Sequence, residues 1–94
     1  MLNETTLLHR GDITVTDARF VIGSQTFAIR GITSVRGIEI TPGLFRRLFG
    51  GTSTFAIILK TAAGEIQAYE SKDSDLIGDT LEALNQAIVR QKQN

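Results

Sequence analysis

The sequence predicts an α+β fold, in which a curled antiparallel sheet of about six or seven strands forms a small β-barrel closed by one C-terminal amphipathic helix. Two observations predict it. Up to about position 70, short runs rich in β-branched and aromatic residues are separated by Gly, Asp and Pro turn signals. After that position, the apolar residues recur at the spacing of a helix. A series of strands followed by a single helix is typical of an α+β domain.

The helix is expected from Ser74 to about Gln91. The apolar residues of its buried face recur at i, i+4, i+7 and i+11, and they are Ile77, Leu81, Leu84 and Ile88. Ser71, Asp73 or Ser74 can cap the start, because a short polar side chain accepts a hydrogen bond from a free backbone N–H group. A helix with one apolar face needs a sheet to cover.

Alternating apolar and polar residues, with turn signals between them, define the expected strands. In chain order they are 5–10, 13–22 with a bend or bulge at Asp17-Ala18, 25–29, 32–41, 54–61 and 65–70. Within 32–41, the core candidates are Val35, Ile38 and Ile40, and their spacing predicts a bulge at Gly37. The strongest strand, TFAIILKT, is expected to turn Phe55, Ile57 and Leu59 towards the core.

Length, charge and composition exclude several classes of protein. The 94 residues fit one domain over the whole chain, 1–94. Ten basic and ten acidic residues give a net charge of zero, which argues against nucleic acid as a partner. The absence of cysteine excludes disulfides, thiolate metal sites and cysteine nucleophiles. No secretory signal or membrane-spanning run is evident, so a cytoplasmic location is expected, with peripheral attachment at the inner face of the membrane as the alternative.

The sequence contains no pattern of residues that points to catalysis. His9 is the only histidine, and no motif brings a nucleophile or carboxylate to it. Asp73 and Asp75 could bind a metal, but their position at a helix start is better explained by capping and by the helix dipole. Phosphate-binding, dinucleotide-binding and zinc-protease motifs are all absent. We therefore expect a non-enzymatic protein with no catalytic residue, no metal and no cofactor.

Three stretches resemble a family of small bacterial proteins of unknown function. They are IGSQTFAIRGITSV at 22–35, LKTAAGEIQAYESKD at 59–73 and ALNQAI at 83–88, and the resemblance covers roughly residues 12–90. It implies a pleckstrin-homology-like fold. Members of that family usually carry a hydrophobic membrane hairpin after the ITP-like position. In this chain the segment 42–53, a loop or short helix, stands in its place and is too short and too charged to be such a hairpin.

The run Gly43–Gly51 within this segment is the strongest candidate for a contact surface. If it forms one or two helical turns, four apolar side chains lie on one side and two arginines on the other. The candidate interface residues are Leu44, Phe45, Arg46, Arg47, Leu48 and Phe49. Three interpretations remain open: a lid over the barrel end, an interface between copies, or a membrane contact. Connections of this length usually have a function or a structure of their own.

These observations lead to a functional hypothesis. The protein is expected to be a binding or self-assembly module that forms a homo-oligomer or binds a protein partner through 43–51 and its sheet edges. The alternative is a peripheral membrane or anionic-ligand binding domain that uses the basic residues of the same segment. Further arginines in the first half of the chain could serve this alternative, but an ordinary solvated surface with salt bridges is the favoured explanation of them; they are Arg19, Arg30 and Arg36.

Overall fold

The computed structural model describes residues 4–40 and 53–93. Its seven strands are β1 (Thr6–Arg10), β2 (Ile13–Thr16), β3 (Arg19–Ile22), β4 (Gln25–Ala28), β5 (Ile32–Ile40), β6 (Thr54–Thr61) and β7 (Gly64–Ser71). A 3-10 turn, Ile29–Gly31, joins β4 to β5, and the helix α1 spans Ser74–Lys92. The expected α+β class and the order of strands followed by one helix are confirmed.

The strands form two antiparallel sheets, in the orders β1-β2-β3-β4 and β5-β6-β7. Within the described ranges no strand of the first sheet pairs with a strand of the second, so the closed barrel expected from the sequence is not seen. The sheets meet through the 3-10 turn, whose Ile29 is buried. Gly11 and Gly23 lie in the tight turns of the first sheet with φ of 54° and 57°, a conformation that glycine adopts without steric cost.

The Thr16 side chain holds the bend between β2 and β3, where the chain reverses so that the two strands pair antiparallel; the prediction of one continuous strand over 13–22 is wrong. Its Oγ1 accepts hydrogen bonds from the backbone N–H groups of Ala18 and Arg19, at 3.1 and 3.0 Å, and donates one to Glu4 at 2.6 Å. The same carboxylate of Glu4 is 3.0 Å from Arg19. Because Thr16 is buried, these bonds satisfy a hydroxyl that would otherwise be costly to remove from water.

Helix α1 packs between the two sheets and supplies the centre of the core. Asp73 caps it, with Oδ1 accepting from the Leu76 N–H at 3.1 Å, as one of the three capping candidates predicted. The apolar face follows the predicted spacing, although Leu81 is only half-buried. The cluster of buried side chains that α1 completes includes residues of both sheets; its largest fully buried members are Phe20, Ile13, Ile29, Ile57, Leu59 and Leu84.

The prediction for β5 is wrong in two respects. The irregularity lies between Ile32 and Ser34, whereas Gly37 pairs with Ile57 in regular register. Without a bulge at Gly37, the alternation of faces places Ile38 and Ile40 on the side of the sheet away from the core. Ile38 is accordingly half-buried and Ile40 is 41% exposed.

The final strand differs from expectation for a similar reason. Ile57 pairs with Tyr69 and Ile58 pairs with Gln67, which leaves Ala68 as an extra residue in β7. Regular alternation from Ile66 would turn Tyr69 away from the core, whereas the extra residue places Tyr69 opposite Ile57 and packs it against the core. Ile66 lies on the core side of the sheet, since it pairs with the buried Leu59, but it is 38% exposed.

Candidate interaction surface

The predicted contact segment begins and ends at the tip of a hairpin. Ile40, the last residue of β5, pairs with Thr54, the first residue of β6. The six candidate interface residues, Leu44, Phe45, Arg46, Arg47, Leu48 and Phe49, lie outside the described residues. The structure therefore describes the strand ends on either side of the segment, and the role predicted for the segment stays a prediction.

The outer face of the three-stranded sheet leads to that tip. Paired residues in an antiparallel sheet point to the same face. Ile38 pairs with Ala56 and Arg36 with Ile58, so these side chains lie on the face opposite to Gly37, which contacts α1. Helix α1 covers only the inner face of the sheet, yet Ala56 and Ile58 on the outer face are also buried.

Sequence reasoning missed this outer apolar stripe, which we define as Ile38, Ile40, Ala56 and Ile58. A signal for it was present, because the unbroken apolar run Phe55–Leu59 is typical of a strand buried on both faces. Charged and polar groups border the stripe. Arg36 is paired with Glu65 at 2.9 Å, and the Gln67 side chain donates to Glu70 at 2.8 Å.

The free edge of β5 is the second feature of this surface. In the described part of the chain, β5 pairs with β6 on one side only, and it is nine residues long. Its residues Ser34, Arg36, Gly37 and Glu39 are exposed. An exposed edge presents unpaired backbone N–H and C=O groups, which can accept a further strand.

Among the described residues of the first half, three of the four arginines lie in ion pairs. Arg19 pairs with Glu4 and Arg36 with Glu65, while Arg10 lies 2.9 Å from Asp79. These contacts are what a solvated surface with ordinary salt bridges would show. Arg30, by contrast, lines a cavity of about 150 Å³ between the 3-10 turn and the end of α1, together with Lys92.

His9 and the acidic residues form no recognisable catalytic or metal-binding arrangement within residues 4–40 and 53–93. The Nδ1 atom of His9 is 2.8 Å from Oγ1 of Thr14, its cross-strand partner. Asp73 caps the helix, and no group of three or more potential metal ligands comes together among these residues. Across the same residues, no helix has both the length and the apolar character to cross a bilayer.

A wider depression, of about 700 Å³, runs along the exposed side of α1. The residues lining it are Glu82, Asn85, Gln86, Val89, Arg90 and Gln93. They belong to one helix face and are mostly long polar side chains, which gives the depression no converging set of groups such as a small-molecule site requires.

Comparison of the chain with protein-family models, with curated proteins and with solved structures found no match. The resemblance to the bacterial family stays a prediction.

Proposed function

We propose that the protein is a non-enzymatic binding and self-assembly module with a pleckstrin-homology-like fold. The seven antiparallel strands and the single C-terminal helix agree in number and order with the fold that the family resemblance implies. The module makes contact through the segment 43–51 and the neighbouring edge of its three-stranded sheet.

One observation carries this proposal. The β5–β6 hairpin has apolar residues on its outer face, and this stripe continues to the strand ends where the segment begins. Ile40, the residue beside the segment, exposes 41% of its surface. The segment itself adds two leucines and two phenylalanines. Burying each such side chain contributes about 1.5–3 kcal/mol, which favours a partner over solvent.

The test is the solution mass, measured by light scattering after size exclusion. We expect the natural chain to be an oligomer and the variant Leu48→Asp/Phe49→Asp to be a folded monomer. The control Asn85→Asp/Gln86→Asp introduces the same two charges on the exposed face of α1, and it should keep the natural mass.

Three results would contradict the proposal. An oligomer that survives Leu48→Asp/Phe49→Asp excludes the segment as an interface, and an unfolded variant assigns Leu48 and Phe49 to the core. If all three proteins are folded monomers, self-assembly is wrong. Sedimentation with vesicles containing anionic lipid then tests the alternative: pelleting that is lost in Arg46→Ala/Arg47→Ala supports membrane binding by the same segment.

A further inference from the structure

We infer that two copies of the chain associate by antiparallel pairing of their β5 edges, around a two-fold axis at Ile38. The two three-stranded sheets would then form one six-stranded sheet. This inference rests on the proposed self-assembly and specifies its geometry and partner, a second copy.

Four strands lie at sheet edges in the described part of the chain, namely β1, β4, β5 and β7. The strand β4 has only four residues. The strand β1 is irregular between Thr6 and Leu8, and β7 carries the extra residue Ala68. Short and bulged edges are those that proteins use to prevent further pairing.

The strand β5 lacks these protective features over most of its length. Its pairing with β6 is regular from Ser34 to Ile40, after an irregularity at its start. It contains no proline and no lysine, and its charged residues are Arg36 and Glu39. Several of its residues are β-branched, which suits a paired strand. Within the described ranges, β5 is therefore the edge best suited to accept another strand.

The charges of β5 restrict the register of self-pairing. With a two-fold axis perpendicular to the sheet, the same residue of both copies lies at the axis, and the faces of the two sheets remain continuous. An axis at Arg36 or at Glu39 would bring two like charges directly opposite each other, which is destabilising. Between them, near the middle of the regularly paired stretch Ser34–Ile40 where self-pairing is longest, lie Gly37 and Ile38, and an axis at either brings no like charges opposite each other.

An axis at Ile38 is the better of these two. It places the two Ile38 side chains opposite each other on the outer face, an aliphatic cross-strand pair, whereas an axis at Gly37 would oppose two residues without side chains. Arg36 then lies opposite Ile40 of the second copy, where its alkyl chain can pack and its guanidinium can reach water. The outer stripes of the two copies become continuous across the axis.

The absence of cysteine makes a clean test possible. In Ile38→Cys, the two sulfur atoms of a dimer would meet, because directly opposed Cβ atoms are about 4.5–5.5 Å apart. The control is Ser34→Cys, which lies on the same strand and face and is exposed. With the axis at Ile38, the two cysteines at position 34 of a dimer would be eight residues apart along the paired strands. This separation is about 26 Å, which is too far for a disulfide.

We expect mild oxidation to link Ile38→Cys into a covalent dimer at least tenfold faster than Ser34→Cys. A second test avoids substitution at the axis and uses Arg36→Cys mixed with Ile40→Cys. Because positions 36 and 40 lie opposite each other in the dimer, the mixture should form disulfide-linked heterodimers faster than either variant alone forms linked homodimers. Equal rates for Ile38→Cys and Ser34→Cys, with no heterodimer preference in the mixture, would overturn the inference.

The same samples separate failure of the inference from failure of the proposed function. If the natural chain is an oligomer by light scattering and neither cysteine test shows the expected preference, β5 pairing is wrong and self-assembly stands. If the natural chain is monomeric at every concentration tested, both are wrong.

Discussion

Gly37 lies directly against Leu81, so that a Cβ atom built on Gly37 would be 2.6 Å from Cδ1 of Leu81. The absence of a side chain in the middle of β5 therefore lets α1 approach the sheet. Ile77 lies 3.9 Å from the same point, so that two residues of the helix occupy the space that a side chain would need. A residue with a side chain at position 37 would therefore have to displace the end of the Leu81 side chain.

We expect Gly37→Val to lower the free energy of unfolding by about 1–3 kcal/mol, because overpacking forces the helix or its side chains to move. The cost should fall by at least about 0.5 kcal/mol in a Leu81→Ala background, where the space is restored. Urea unfolding of the four proteins in this cycle measures the coupling. Gly78→Val serves as the control for position, since nothing lies within 4 Å of a Cβ built there. A strictly additive cycle would contradict the contact.

The cap of α1 gives a second prediction. Asp73→Ala should destabilise the protein by about 1 kcal/mol, because the Leu76 N–H loses its acceptor. Asp73→Asn retains a capping oxygen and should lose much less. Asp75→Ala removes an acidic residue of the first turn that does not cap the helix, and it controls for charge. Thermal unfolding followed by circular dichroism ranks the three variants, and equal losses in all of them would refute the assignment.

A third prediction concerns the bend between β2 and β3. Thr16→Val removes the acceptor of two backbone N–H groups and should cost about 1–3 kcal/mol. Thr14→Val replaces a half-buried threonine of the same strand and should cost distinctly less. Chemical denaturation compares them. If the two substitutions cost the same, the hydroxyl of Thr16 does not hold the bend.

The two sides of α1 give a fourth prediction. Leu84 is fully buried and Val89 is 52% exposed. Leu84→Ala should therefore lower the unfolding free energy by about 2–5 kcal/mol through lost burial and the cavity left behind. Val89→Ala should change it by no more than about 0.5 kcal/mol. Comparable losses measured by urea unfolding would mean that α1 is rotated from the orientation described here.

The helix and most strand bounds could be predicted from sequence because their signals are local. The cap at Asp73 and the 3.6-residue apolar period are contained within the helix itself. The faces of β5 could not be predicted in this way. Placing Val35, Ile38 and Ile40 together on the core required a bulge at Gly37, but Gly37 is needed at that point by Leu81, which lies far along the chain. Only the packed structure contains that information.

The candidate surface was predictable only in part. The apolar character of 44–49 is visible in the sequence, and it suggested a contact. The free edge of β5 depends on the order of strands within its sheet, which periodicity cannot supply. The outer apolar stripe depends on register, since a shift of one residue would have turned Ile38 and Ala56 to the other face.

The position of α1 in the chain also affects synthesis. The helix contacts strands of both sheets, yet all seven strands precede it. While the ribosome is still translating residues 74–92, the inner faces of both sheets have no helix to cover them. A nascent chain at this stage exposes apolar surface and unpaired strand edges together, the combination that attracts chaperones and promotes aggregation. The apolar inner faces of the sheets can therefore be covered, and the tendency to aggregate reduced, only after the 19-residue helix has been synthesised.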